Sequence, residues 1–257
     1  MLSEFEELCQ WSDEEFSELP WRRERSLYTT LVSEIMLQQT TVSTVLPRYP
    51  EFLKTFPTIE TLAAADEDEL RHAWLGLGYY RRATNLLKAA RSLSDGEFST
   101  DEEELVKIPG IGPYTASAIR AIGHDLPALA VDGNLKRVLS RYFAISTPYE
   151  KGLEKDIRQL LQQEEVMNMV CNSGPRRLNE ALMDLGRSLC TIRKPRCENC
   201  PLSKGCLAFR ASTQTDYPVR IEKKKKSLTE LKLLRYVCLE EKQILLYRKV
   251  KGEWLEK

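Results

Sequence analysis

Histidine is scarce in this chain: His72 and His124 are the only two in 257 residues. Neither falls inside a motif, and neither is assigned a role. Long apolar runs are missing as well, so no segment reaches the roughly 20 residues that a bilayer-spanning helix needs. Signal and transit peptides are absent, and an amino terminus this acidic is unsuited to organelle import. These absences lead to the expectation of a cytoplasmic protein with no membrane partner. Net charge is missing too, with 38 lysines and arginines against 38 aspartates and glutamates, so bulk charge advertises no polyanionic partner. No repeat at solenoid spacing occurs, and the one low-complexity tract is Lys223 to Lys226. The length suits one large core or two smaller ones.

What is present is unevenly spread. Residues 1–20 hold seven acids and no base, whereas residues 187–210 hold six bases against the single acid Glu198. A local positive field suits a phosphate-binding face. Inside that basic stretch Cys190, Cys197, Cys200 and Cys206 follow the pattern C-x6-C-x2-C-x5-C. Thiolates are soft ligands, and four of them in one short loop can close around one metal centre. Zinc sites pair two short knuckles across a longer stretch, and here only Cys197 and Cys200 are so paired, which favours a [4Fe-4S] cluster over zinc. The segment is polar and basic and has no apolar face that would bury four unligated thiols. Cys9, Cys171 and Cys238 are expected to be ordinary buried or partly buried thiols.

Nearly everything before residue 215 carries helical period, as in Tyr28, Leu31, Val32 and Ile35, with start signals at Thr58, at Asp66 and at Thr100, the last with Glu103 as a capping box. The body reads as a bundle of many short helices. After the lysine tract the period becomes two, in Leu234, Tyr236 and Cys238 and then Ile244, Leu246 and Arg248, around a polar turn at Glu240 to Gln243. That predicts a β-hairpin, which cannot stand alone and so reads as the opening of a second domain.

Three further segments carry chemistry. In Ile108-Pro109-Gly110-Ile111-Gly112-Pro113-Tyr114, the glycines permit a tight turn with positive φ and Pro113 starts a helix. Such a turn exposes backbone N–H groups that can hold a phosphate, as in a helix-hairpin-helix, although a plain αα turn competes when the motif is read by itself. In Val131-Asp132-Gly133-Asn134, Asp132 begins a helix, and by itself it reads more readily as an N-cap than as a catalytic group. Glu34 in Ser33-Glu34-Ile35-Met36-Leu37-Gln38-Gln39-Thr40 lies at the edge of an apolar face; it is either a solvated helix glutamate or, if desolvated, a general acid.

Taken together, LPWR, SEIMLQQT, WLGLGYYRRATNL, IPGIGPYTASAI, VDGNLKRV, NEALMDLG and the cysteine loop resemble the adenine DNA glycosylases of the MutY family, within the endonuclease III superfamily, over roughly residues 15–210. The resemblance implies an all-α, two-lobed helix-hairpin-helix DNA glycosylase fold with an iron–sulfur loop, plus a short β-hairpin of a truncated second domain. Residues 1–212 would form the glycosylase domain, with the helix-hairpin-helix at about 105–122 and the iron–sulfur loop at 190–206. A basic linker at 213–230 would lead to the start of a nucleotide-hydrolase-like domain at 231–257. The implied reaction is release of adenine mispaired with 8-oxoguanine or guanine in double-stranded DNA, by a nucleoid-associated monomer. Glu34 would protonate the extruded base and later activate water, and Asp132 would face the sugar beside Tyr114 and Asn134. Trp21, Arg22 and Glu180 would line the adenine pocket, Gln39, Leu77 and Tyr79 would meet the duplex, and Gly110, Ile111 and Gly112 would hold phosphate. Superfamily members that also cut the backbone carry a lysine at the position of Tyr114, so weak or no lyase activity is implied. A pyrimidine-damage glycosylase/lyase is the close alternative, and a non-enzymatic DNA-binding module the more distant one.

The ligand spacing generates the first prediction. Anaerobically purified protein should be brown and carry about four irons per chain; stoichiometric zinc without broad visible absorption would overturn the cluster assignment.

Overall fold

The computed structural model describes residues 2–94 and 97–221 and, beyond them, the backbone pairing of 239–240 with 243–244. Contacts divide the chain into Met1–Ile221 and Glu222–Lys257. The first unit is helical: α1 (Leu2–Phe16), α2 (Pro20–Arg23), α3 (Leu27–Leu37), α4 (Val42–Val45), α5 (Arg48–Thr55), α6 (Ile59–Ala64), α7 (Glu67–Ala73) and α8 (Arg81–Leu93) come first. They are followed by α9 (Glu102–Lys107), α10 (Pro113–Ala118), α11 (Gly133–Tyr142), α12 (Leu153–Gln159), α13 (Glu164–Ser173), α14 (Pro175–Ser188) and α15 (Leu207–Arg210).

Two hydrophobic cores organise these helices. Leu31, Ile35, Phe52, Phe56, Trp74 and Leu86 centre the first, drawn from the stretch between α2 and α10. Phe5 and Leu8 of α1 join Leu135 and Val138 of α11 and Leu178 and Leu182 of α14 in the second. The chain therefore starts in one lobe, leaves to build the other, and returns. Each fully buried large side chain contributes roughly 1.5–3 kcal/mol of transfer free energy. A small cluster of Ala118, Ala121, Ile122, Ala128 and Ala130, with Tyr114 and Met183 packed on it, makes the seam between the lobes. Small residues let the backbone come close there, and α10 runs into one π-helical turn, Ile119–Gly123, as it crosses.

Helix starts follow local chemistry. Thr58 and Asp66 cap α6 and α7 as their positions predict. The cap of α9 falls one residue later than expected, on Asp101 instead of Thr100, where the carboxylate accepts from the backbone of Glu103 and Glu104. A charged oxygen serving two orphan N–H groups is the stronger cap. Gly110 has φ +94°, and a Cβ there would lie 2.2 Å from the Asn85 carbonyl oxygen, so glycine is required twice over. Gly112 corrects the expectation for the second glycine: its φ is −95°, which any residue adopts, and a Cβ would enter open space.

Residues 213–221, expected to begin the linker, belong to the helical unit. Arg141 Nε donates to the Tyr217 carbonyl at 3.1 Å, and the Tyr149 amide donates to the Val219 carbonyl at 2.8 Å. In the second unit β1 (Leu239–Glu240) pairs antiparallel with β2 (Gln243–Ile244), with Glu240 opposite Gln243. The rest of the expected hairpin, the lysine tract and the reading of 231–257 as a truncated domain lie outside the described residues.

α11 and α14 meet at Gly186, where an added Cβ would stand 2.4 Å from Asn134 Cβ. Gly186→Ala should therefore destabilise the protein by roughly 1–3 kcal/mol through overpacking, read as a lower urea midpoint at unchanged m-value.

Candidate active site

Glu34 is carried into the seam by α3, whose amino end is fixed by a capping box between Ser26 and Thr29. Only 5% of Glu34 is exposed. Tyr114 Oη, at the start of α10, donates to Glu34 Oε2 at 2.5 Å. Burial pushes the Glu34 carboxyl up to about 7, and the charges of Asp132 and Glu180 add to the rise while the Tyr114 hydroxyl and Arg22 oppose it. Burial, with the charges of Glu34 and Asp132, likewise holds the Tyr114 phenol well above its ordinary value, so it stays a donor.

Asp132 is the N-cap of α11 and also lines the cavity that holds Glu34. As the N-cap of α11 it accepts from the Leu135 amide at 2.7 Å through Oδ1. Its Oδ2 accepts from Asn134 Nδ2 at 2.8 Å. Burial raises its pKa, against the pull of those donors and of Arg137. The contacts continue: Arg137 Nη2 donates to Asn134 Oδ1 at 2.8 Å and to the Gly186 carbonyl at 2.6 Å, and Arg137 Nε donates to the Cys190 carbonyl at 2.7 Å. A single buried guanidinium thus ties the Asp132 cap to the start of the cysteine loop.

Trp21, Arg22, Glu34, Tyr114, Asn134 and Glu180 line one cavity of about 630 Å³, with Asp132 at its edge. An adjoining groove is lined by Gln39, Tyr79, Gly110, Gly112 and Lys136, and shares Tyr114 and Asp132 with the cavity. Gln39 and Tyr79 have φ of +54° and +46°, a region that side-chain-bearing residues rarely occupy. Leu77, expected to meet the duplex, is elsewhere, and the Ile111 N–H, expected to hold phosphate through the backbone, donates to the Ile108 carbonyl at 3.0 Å. Leu77 and Ile111 are 3% and 4% exposed and pack into the first core, because the turns that present their glycine and tyrosine neighbours turn the apolar side chains inward.

Sequence reasoning missed the polar lattice behind the cavity. Arg22 Nη2 pairs with Asp184 Oδ2 at 2.6 Å, and Asp184 also accepts from Ser12 and Arg187. Arg25 grips Glu180 with both Nη atoms, at 2.6 and 3.2 Å, while Arg22 Nε stays 3.6 Å from Glu180, beyond hydrogen-bond reach. Asp184 was findable, since it stands four residues after Glu180 on the same helix face. Arg25 carried no such signal.

Cys190, Cys197, Cys200 and Cys206 line a single small cavity together with Arg141. Arg141 Nη1 donates to Cys190 Sγ at 3.2 Å and to the Thr191 carbonyl at 2.8 Å. Among the described residues no group of three or more His, Cys, Asp or Glu is drawn together as a metal site. Four soft thiol donors around one cavity, with the buried Arg141 guanidinium beside them, suit a thiolate-ligated anionic centre. Arg193, Lys194, Arg196 and Lys204 are exposed on this loop. Cys9 is buried and its thiol is pushed up to about 12 by burial. Cys171 is exposed, against expectation, because it falls on the outer side of α13. Cys238 lies outside the described residues.

The model of HhH-GPD superfamily base excision DNA repair proteins matches residues 32–163. The chain belongs to this superfamily. It is 38% identical over 218 residues to an adenine DNA glycosylase of Buchnera aphidicola subsp. Schizaphis graminum, covering 83% of this chain and 61% of that protein. With the adenine DNA glycosylase of Homo sapiens it shares 37% over 214 residues, 78% of this chain and 38% of the human protein. The chain thus spans about three fifths of the first of these relatives. Among solved structures, a thermostable thymine-DNA glycosylase superposes with a TM-score of 0.69 at 27% identity, covering 82% of this chain and 95% of that one. An endonuclease III–DNA complex superposes at 0.63 and 20%, covering 83% and 99%, a likeness of fold. Of the described residues, no helix is long and apolar enough to cross a membrane.

The site predicts a pH dependence of stability. A carboxyl whose folded pKa is raised binds its proton more tightly when folded, so its burden is absent below the unfolded value near 4.5 and grows as pH rises to about 7. Glu34→Gln should accordingly be more stable than the native chain at pH 8, by about 3 kcal/mol, with the gap closing by pH 4. Denaturant midpoints across that range check it; a pH-independent gap would show that Glu34 does not titrate as a buried acid.

Proposed function

We propose that the chain is an adenine-specific DNA glycosylase that hydrolyses the N-glycosidic bond of adenine opposite 8-oxoguanine or guanine. The observation that carries this reading is one buried carboxyl poised at about pH 7, Glu34, in the same cavity as the capped carboxylate Asp132. Purine release needs an acid at the base and an anion at the sugar, and these two groups differ in environment in that sense. Protonated Glu34 would donate to N7 of an extruded adenine. The bond from the sugar carbon to N9 then breaks, its electron pair leaves with the base, and Asp132 faces the resulting oxocarbenium charge. Glu34, now ionised, would take a proton from the water that attacks the sugar carbon.

The surrounding residues divide the remaining work. Trp21, Arg22 and Glu180 would hold the base, with Asn134 orienting Asp132. Gly110 and Gly112 would offer backbone N–H groups to a phosphate, the Ile111 N–H being bonded to the Ile108 carbonyl at 3.0 Å, and Gln39 and Tyr79 would enter the duplex; buried Leu77 is left out of that contact. Tyr114 supplies a hydroxyl where a Schiff-base amine would be needed, so strand cleavage should be weak. Cys190, Cys197, Cys200 and Cys206 would hold a [4Fe-4S] cluster, which when bound would stiffen the basic loop for a DNA backbone. The base must first leave the stack, at a cost of a few kcal/mol that a mispair lowers.

The test uses duplexes bearing adenine opposite 8-oxoguanine, adenine opposite guanine, and thymine glycol, scored for free base and for strand breaks before and after alkali. Adenine release without direct strand breaks is expected, and release from thymine glycol alone would sink the assignment. Glu34→Gln and Asp132→Asn should each slow single-turnover release by roughly 10²–10⁴-fold while mispair binding persists. Native kcat/KM should fall as pH rises through about 7, where Glu34 loses its proton.

A further inference from the structure

Arg82, on α8, is buried to 7% exposure, and its guanidinium hydrogen-bonds to carbonyls and one hydroxyl, with no acid among its partners. Its Nη1 donates to the carbonyls of Ile35 and Met36, at 3.1 and 2.8 Å, and to that of Gln38. Its Nη2 donates to the Thr40 hydroxyl at 2.8 Å and to the carbonyls of Leu77 and Gly78 at 2.9 and 3.2 Å. The first set is the carboxyl end of α3 and the residue before Gln39; the second brackets Gln39 on one side and leads into Tyr79 on the other. Both of those groove residues have positive φ, a strain that persists only where surrounding contacts over-determine the backbone. The Arg82 guanidinium also stands 5.5 Å from the Tyr79 ring and 5.6 Å from that of Trp74.

We propose that Arg82 is the positioning residue that locks the Gln39 and Tyr79 loops into one rigid pair, so that duplex penetration from the two loops is set by a single buried guanidinium. The planar fork is what the role requires. A lysine ammonium could reach one loop's carbonyls but has neither the donors nor the span to hold both. The part played in duplex entry rests on the proposed DNA-glycosylase reading, whereas the coupling of the loops does not.

The experiment has two readouts. Hydrogen exchange of peptides 36–41 and 75–80 should accelerate together, about tenfold or more, in Arg82→Lys, with α1 and α14 peptides unchanged. Fluorescence of 2-aminopurine placed opposite guanine in a duplex reports extrusion without chemistry, and adenine release reports the rate. In the native background Arg82→Lys should lower both the fluorescence rise and the single-turnover rate by about tenfold or more, and in the Gln39→Ala/Tyr79→Ala background by less than about twofold. Equal losses in the two backgrounds, or loosening of one loop alone, would overturn the proposal. Should Arg82→Lys fail to fold, Thr40→Val, which removes one acceptor of the fork, is read by the same criteria. A native chain that neither extrudes 2-aminopurine nor releases adenine would remove the duplex role and the glycosylase reading together, while hydrogen exchange still decides whether Arg82 couples the loops.

Discussion

Everything in the site depends on keeping Glu34 out of water. A carboxyl in bulk solvent would be ionised near neutrality and useless as an acid; between two hydrophobic cores, its proton is retained to about pH 7. That burial costs stability, and the fold tolerates it because the seam offers one hydroxyl, Tyr114, as a donor. The two-lobed layout makes both conditions possible at once, since Glu34 is buried between the cores and still lines a cavity.

The rest of the polar machinery is a set of arginines that hold groups by their backbone or by paired acids. Arg22 and Arg25 divide Asp184 and Glu180 between them, which fixes the cavity wall, and Arg187 shares the buried Asp184 with Arg22. Arg137 links the Asp132 cap to the cysteine loop through Asn134 and the Cys190 carbonyl. Arg82 performs the equivalent task for the groove. In each case a planar donor with no alternative protonation state fixes geometry that side-chain packing could not.

How far the sequence could be read depended on whether the signal was local. Helix starts at Thr58 and Asp66 and the proline start at Pro113 were all legible, because capping involves residues within one turn. Where two caps were adjacent, as at Thr100 and Asp101, local rules did not choose, and the stronger acceptor won. Gly112 looked like a conformational glycine and is extended; only Gly110 is pressed against Asn85. Leu77 and Ile111 sat in motifs with site residues and went to the core, since alternate residues of a turn point opposite ways.

The sequence by itself determined the helical class and the spacing of the four-cysteine loop, because each is written in residue type and short spacing; the turn at Gly110 and the two carboxylates were singled out only through the resemblance. It could not say whether Glu34 was solvated, whether Asp132 capped a helix or faced a cavity, or that Arg25 and Arg82 mattered at all. Those were decided by tertiary structure. Desolvation, and contacts between residues 155 positions apart such as Arg25 and Glu180, exist only once two cores have packed and brought α3, α10, α11 and α14 to one seam.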